Sequence, residues 1–332
     1  MNTIATWTGV SGENLCKEVL SLGSYIYAVL CTSPGKVVKI DPSDMSTTDS
    51  VSTTGNLALH LATDGTALYA TSQVDMGSYF NVSVDKIQVS DMSIVDTYTY
   101  GAGHTGSGSP QFGLTCMGSH VYLGTQYSES STYIGIVIKI QTSDMTAVGS
   151  YSNPNNQEIG SELTNDGTYI YFGTFDMNGM DTARVRKLTS ADIMLLVAVW
   201  TGPAVNPCTT VGSDNTWVYA GCGDGKVYQI KTSDMSTNAS YDYGTFLPIL
   251  NVCVGATGKL FVAVDTTTAV VKLLNTATMT AIDSWTAGSG KIDPYGVAWD
   301  GTNGYVGLSL SPAEVYQLSL GGGARSWGYI LG

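Results

Sequence analysis

The sequence predicts an all-β chain folded as a seven-bladed β-propeller of four-stranded antiparallel blades, closed by the N-terminal strand completing the C-terminal blade. Three observations carry this expectation. A hairpin pattern recurs seven times, a second turn motif trails it in six repeats, and the last repeat lacks a fourth strand that the N-terminus can supply.

The hairpin pattern is an apolar run, a tight turn, then an aromatic residue leading into Ala, Gly or Val. Its turns and aromatics are Leu22-Gly23 with Tyr27, Asp64-Gly65 with Tyr69, Met117-Gly118 with Tyr122, and Asp166-Gly167 with Tyr171. Asp214-Asn215 with Tyr219, Ala256-Thr257 with Phe261, and Asp300-Gly301 with Tyr305 complete the series. Successive aromatics lie 42 to 53 residues apart, close to the length of one propeller blade. Asp-Gly between alternating apolar residues is a hairpin signal in which both turn positions take positive φ, so each copy marks the two inner strands of a blade.

After each hairpin a strand ends in Lys and an apolar residue, followed by a Ser/Thr-Asp-Met turn. It reads Lys39-Ile40 with Ser43-Asp44-Met45, Lys86-Ile87 with Ser90-Asp91-Met92, and Lys139-Ile140 with Ser143-Asp144-Met145. Lys187-Leu188 pairs with Ala191-Asp192-Ile193, Gln229-Ile230 with Ser233-Asp234-Met235, and Lys272 to Met279 is a copy stretched by one residue. These mark the turn between the two outer strands. The Asp is expected to bond its own backbone rather than calcium, since one carboxylate per turn falls short of the six to eight oxygens calcium takes. The Met fills space between blades, and the Lys row reads as a solvated rim.

The last repeat runs from Glu314 to Leu320 straight into Gly321-Gly322-Gly323 without a second motif. Ile4 to Gly9, with Trp7, resembles the outer strands around Trp200 and Trp285 and supplies the missing strand, which removes the exposed edge of an open array. The expected organisation is one propeller over 1–320, strand 2–9 completing the blade at 293–320, and a tail over 321–332. Gly296-Val297-Ala298-Trp299-Asp300-Gly301 and its counterparts resemble the YVTN-type and related propeller repeats, from Asn14 to Leu320. That resemblance implies the fold. Its relatives include binding and surface-layer proteins, lactonases, lyases and quinone-dependent dehydrogenases, so function has to be argued from a site.

Composition narrows the classes. With 14 basic against 27 acidic residues the net charge is -13, and no Lys or Arg run can neutralise a phosphate backbone, so nucleic acid is not an expected partner. No apolar stretch is long enough to span a bilayer. Met1 to Val10 has neither a basic region nor an apolar core, so the expectation is cytoplasmic synthesis without a classical signal peptide. The six cysteines form no Cys-x-x-Cys pair and are expected to be buried thiols, with oxidation of Cys208 and Cys222 on one hairpin left open.

Aligning the hairpins on their aromatics places Asn14, Asn56, Ser109, Glu158, Asn206, Pro248 and Ile292 at the mouth of the central channel. Asn14, Asn56, Glu158 and Asn206 can hold a cation or a sugar hydroxyl there, or serve local turns. Four positions deeper lie Glu18, His60, Gly113, Glu162, Thr210, Val252 and Gly296, among which Glu18, His60 and Glu162 are candidates for an acid–base or metal group. No other catalytic motif is present. No cofactor is expected apart from a divalent cation in the channel as the alternative.

Departures from the period concentrate in blades 2 to 4, in the segments 74–81, 127–133 and 175–181 and the stretches 101–109 and 153–157. Tyr79, Phe80, Tyr127, Tyr133, Phe175, Asp176 and Asp181 give that face an amphipathic mixture suited to protein or glycan contact. The expected function is therefore a non-catalytic binding or structural propeller in a larger assembly such as a phage virion. Its partners would be assembly subunits or a surface glycan, with homo-oligomers formed through loops or the tail. A lactonase- or lyase-like enzyme and an intracellular interaction scaffold are the alternatives.

Overall fold

A computed structural model describes residues 1–77, 80–101, 111–129, 132–153, 158–176, 182–244, 247–255 and 258–320. Within these stretches the side chains of 111, 112, 127–129, 132, 133, 158, 159, 175, 176 and 203–205 lie outside the description. Seven four-stranded antiparallel blades form a ring, and the described residues contain no helix.

Blade 1 comprises Cys16–Leu22, Tyr25–Leu30, Lys36–Asp41 and Ser46–Ser52 from the channel outward, and blade 2 Leu61–Thr63, Ala67–Asp75, Phe80–Gln88 and Ser93–Tyr100. Blade 3 comprises Gln111–Met117, His120–Glu129, Thr132–Gln141 and Thr146–Ser152, and blade 4 Glu158–Asn165, Tyr169–Asp176, Thr182–Thr189 and Leu196–Val205. Blade 5 comprises Cys208–Ser213, Trp217–Cys222, Lys226–Lys231 and Thr237–Asp242, and blade 6 Ile249–Val254, Lys259–Val264, Val270–Asn275 and Thr280–Thr286. Blade 7 takes Pro294–Trp299, Asn303–Leu308 and Glu314–Ser319 from the C-terminal repeat and Asn2–Thr8 from the start of the chain. The closing strand runs antiparallel to its partner in the register Asn2↔Ser319 to Thr8↔Glu314.

Each hairpin aromatic is at most 1% exposed, so the repeated residue is a core residue of its blade. In blades 2, 4, 5 and 7 the turn aspartate holds it in place. Asp64, Asp166, Asp214 and Asp300 each accept two backbone N–H groups on Oδ1, and the hydroxyl of Tyr69, Tyr171, Tyr219 or Tyr305 donates to Oδ2 at 2.6–2.8 Å. The turn differs from the one expected. Only the residue after the aspartate has positive φ, at Gly65, Gly167, Asn215 and Gly301, because the aspartate contributes through its side chain rather than through a left-handed backbone.

The outer turns bear out the aspartate's local role. Asp44, Asp91, Asp144 and Asp234 accept the N–H of the residue two positions on. The methionines beside them, Met45, Met92, Met145, Met235 and Met279, all take φ of 48–55° and are 2–5% exposed. Such a backbone costs a non-glycine residue about 1–2 kcal/mol, against roughly 1.5–3 kcal/mol gained by burying the side chain. Each of these methionines packs into the seam with the preceding blade.

Pairing corrects the alignment in two repeats. In blade 4, Leu188 pairs with Leu196 as Ile140 pairs with Ala147, so Met194, 4% exposed, is the turn methionine and Ile193 is an insertion. In blade 6, Leu273 and not Lys272 stands where blades 1 to 4 carry Lys, which leaves Lys272 on the exposed side bonded to Ser284. In blade 7 the place of the turn methionine relative to the outer strand is held by Met1, 8% exposed, in the seam with blade 6.

The lysines are not a solvated rim. Lys39, Lys86 and Lys187 donate to the carbonyl oxygens of Val89, Thr142 and Thr232 in the outer turn of the next blade, at 2.8, 2.6 and 2.6 Å. Lys139 reaches Asp192 at 2.7 Å, and Gln229 takes the same role toward Thr276 at 2.8 Å. The outer-strand tryptophans act in the same direction around the ring. Trp7, Trp200 and Trp285 donate their indole N–H to Thr47, Thr237 and Thr3.

Candidate functional site

The inner strands line the central channel, and a bulge between their first residues sets which side chains share a level. Glu18, Gly113, Glu162, Thr210 and Gly296 each follow such a bulge and pair two residues past the hairpin aromatic, and His60 meets Thr71 equivalently. In blade 6 this place belongs to Asn251, not to Val252. The hairpin of that blade is one residue longer, which shifts an alignment counted back from Phe261.

Glu18, His60 and Glu162 converge although they come from blades 1, 2 and 4. Both carboxylates approach one imidazole nitrogen, His60 Nδ1, with Glu18 Oε2 at 3.5 Å and Glu162 Oε1 at 3.9 Å. Glycine at 113 makes this possible, because a Cβ there would lie 2.6 Å from both Glu162 Oε1 and the Leu163 nitrogen. The Leu61 N–H donates to Glu18 Oε2 at 2.7 Å and the Leu163 N–H to Glu162 Oε1 at 3.3 Å. No donor among the described residues is bonded to Glu18 Oε1 or Glu162 Oε2. The three side chains are 17–23% exposed, set deep but open to the lumen.

Burial and the neighbouring Glu18 charge push the Glu162 carboxyl up to about 8, with His60 opposing. Burial alone would lower His60, but Glu162 and Glu18 outweigh it and raise the imidazole above its usual value. Both groups thus hold a proton more tightly in the folded chain than in the unfolded one. Stability from them is full below the unfolded values and is lost as pH rises through the folded ones, for Glu162 between 4.5 and about 8. Stability is therefore expected to fall from pH 5.5 to 8.5 by on the order of 3 kcal/mol, and Glu162→Gln should flatten that slope. An unchanged slope in Glu162→Gln would assign the pH dependence to other groups.

Below the triad lies a cavity of ≈ 400 Å³ reached by Glu18, Glu162, Thr210 and Asn251, with Val19, Val252 and Trp299 among its walls. Cys253 faces the same space, and burial with the Glu18 charge pushes its thiol up to about 12, so it stays protonated. Among the described residues no three His, Cys, Asp or Glu side chains are arranged to hold a metal ion. Both carboxylates address the same imidazole nitrogen, which suits a shared proton.

At the channel mouth, Asn14 Oδ1 accepts from Ser311 Oγ and Asn56 Oδ1 from Ser33 Oγ, each at 2.9 Å. Both asparagines thus tie the mouth to the loop between the second and third strands of the preceding blade. Asn206 is half-buried beside a parallel bridge to Thr182. The Glu158 backbone bridges Ile134 and joins blade 4 to blade 3, but its side chain is outside the described set. All six cysteines are free thiols, and Cys208 and Cys222 face each other across one hairpin.

The face that carries the mouth is asymmetric. In blades 1, 5, 6 and 7 the second strand ends three residues past the hairpin aromatic, whereas in blades 2, 3 and 4 it ends six, seven and five residues past it. The third strands begin correspondingly early, so these hairpins rise roughly 7–13 Å higher at about 3.3 Å per residue. Phe80 is half-buried at the base of the blade 2 hairpin end and pairs with Asp75. Tyr79 and Asp181 lie outside the described residues, as do the side chains of Tyr127, Tyr133, Phe175 and Asp176 and the whole tail 321–332. No helix among the described residues is long and apolar enough to cross a membrane. No protein-family model matches the chain, and no curated protein matches it in sequence.

Proposed function

We propose that the chain is a non-catalytic recognition propeller, one component of a larger assembly such as a phage virion, that meets its partner with the face bearing the raised hairpins. The supporting observation is the elevation of three consecutive hairpins on a ring whose other four end at one height. A repeat ring needs equal blades to close, so length added to one sector of one face is length the fold does not use. The candidates Phe80, Tyr127, Tyr133, Phe175 and Asp176 belong to these strands, and Tyr79 and Asp181 to the segments joining them. Aromatics beside carboxylates and hydroxyls suit a surface glycan or a neighbouring assembly subunit. A YVTN-type relationship agrees with this reading, since that class includes surface-layer and binding proteins.

The test is a graft. Replacing the hairpin ends of blades 2, 3 and 4 with the short turn Gly223 to Gly225 of blade 5 should leave the thermal midpoint within a few degrees. Binding to host envelopes or to a glycan array should fall at least tenfold. Undiminished binding by the grafted protein would remove the upper face from the function.

The convergence of Glu18, His60 and Glu162 favours a second reading, acid–base catalysis of the lactonase or lyase kind inside the channel. Metal analysis with turnover assays of His60→Ala and Glu162→Ala discriminates it. No bound metal and no effect of either variant on any detected turnover would eliminate it.

A further inference from the structure

We infer that the central channel is a binding site for a small organic amine, its ammonium group held between Glu18 and Glu162 and its hydrocarbon body in the cavity below. The cavity of ≈ 400 Å³ is within the range of small-molecule sites, which are mostly apolar with a few convergent polar groups. Here the charged groups are Glu18 and Glu162, and the walls mix apolar side chains with neutral polar ones such as Thr210 and Asn251. Val19, Leu163, Val211, Val252 and Trp299 line the space, while Glu18 and Glu162 come together at its upper end.

The hydrogen bonding at the triad leaves room for such a guest. Glu18 Oε2 and Glu162 Oε1 are engaged by backbone N–H groups and face His60, while no described donor is bonded to the second oxygen of either carboxylate. An ammonium brings three donors and a positive charge, and no donor among the described residues is bonded to these two oxygens. An anion is disfavoured by the Glu18 charge, and a neutral alcohol has no charge with which to take the place of the Glu162 proton. Trp299 adds an aromatic wall against which a hydrocarbon body packs.

Proton exchange follows from the same geometry. The titratable groups facing the site are Glu18, His60, Glu162 and, from blade 6, the Cys253 thiol. Because Glu162 is held protonated up to about pH 8, an ammonium arriving at neutral pH takes the place of that proton, which leaves to solvent. Affinity should accordingly rise with pH from 6 to 8, by up to tenfold per unit, and then level off. This inference is independent of the upper face, since the raised hairpins and the lower cavity share no residue.

The experiment is calorimetric titration of the full chain with hexylammonium, hexanol and hexanoate at matched ionic strength, in two buffers of different ionisation enthalpy. Hexylammonium is expected to bind one per chain with release of close to one proton at pH 7 and almost none at pH 9, while hexanol and hexanoate bind at least tenfold more weakly. Glu18→Gln and Glu162→Gln should each weaken the amine at least tenfold. Equal binding of hexanol, insensitivity to both substitutions, or binding of divalent cations in place of the amine would overturn the assignment. Should either glutamine variant fail to fold, the comparison of the three hexyl compounds on the unaltered chain and the proton release decide the matter.

Discussion

Deletion of Met1 to Thr8 is expected to abolish cooperative folding of the ring, whereas removal of the chain after Gly323 should leave the thermal midpoint within a few degrees. The deleted strand supplies a whole edge of blade 7, pairing from Asn2 to Thr8 with the Glu314–Ser319 strand. It also belongs to two seams at once. Trp7 is 2% exposed in the seam with blade 1 and donates to Thr47, while Met1 lies in the seam with blade 6 and Thr3 accepts from Trp285. Trp7→Ala alone should cost about 3–5 kcal/mol, the usual loss for a buried Trp. The full deletion adds an unpaired edge and two opened seams. Circular dichroism melts and size-exclusion profiles check it, with aggregation expected of the deleted chain. A deletion variant melting like the intact chain would mean that blade 7 stands without its fourth strand.

Asp64→Ala is the point substitution with the largest expected effect away from the seams, about 2–4 kcal/mol. The carboxylate organises a turn by accepting from the Thr66 and Ala67 N–H groups and holds the otherwise buried Tyr69 hydroxyl at 2.8 Å. Hydrogen bonds to a charged acceptor contribute about 1.5–3 kcal/mol, and an abandoned buried hydroxyl costs about 1–3 kcal/mol more. Tyr69→Phe should cost only about 1 kcal/mol, and the double variant less than the sum of the two. Additive losses would show that Asp64 and Tyr69 do not act as a unit. Burial alone would raise Asp64, but the bonds from Ala67, Thr66 and Tyr69 outweigh it and hold the carboxyl at about 2. Stability from this group is thus present above its unfolded value of 3.8 and lost as the pH falls toward 2, so Asp64→Ala should melt with a shallower acid limb.

The ring and its closure were legible because both depend on periodicity. Aromatics near the end of each hairpin and the kinship of Trp7 with Trp200 and Trp285 survive variation in the loops between them. The triad was legible as a level, since Glu18, His60 and Glu162 sit at equal depth on their strands, but the approach of both carboxylates to one nitrogen depends on Gly113 and on the curvature of the ring. What the sequence concealed was the work of the lysines. A Lys on an outer strand reads the same whether it ends in water or on a carbonyl of the next blade, and only the 5% exposure of Lys139 and 7% of Lys187 distinguish the two. The slips at Met194 and Asn251 arise from single added residues in an outer turn and in a hairpin, which counting from a fixed landmark carries into the rest of the blade.

The lysine, glutamine and tryptophan contacts that join the outer strands of neighbouring blades all point one way. Lys39, Lys86, Lys139, Lys187 and Gln229 donate to the following blade, and Trp7, Trp200 and Trp285 do the same. Every blade therefore has a giving flank and a receiving flank, and neighbours join head to tail as subunits do in a cyclic oligomer. Such a joint is neutral about number. It is satisfied at seven only because the curvature brings the receiving flank of blade 1 to the giving flank of blade 7. A chain carrying fewer blades would end with one flank of each kind unsatisfied and, by the same contacts that seal this ring, would pass them on to another copy of itself.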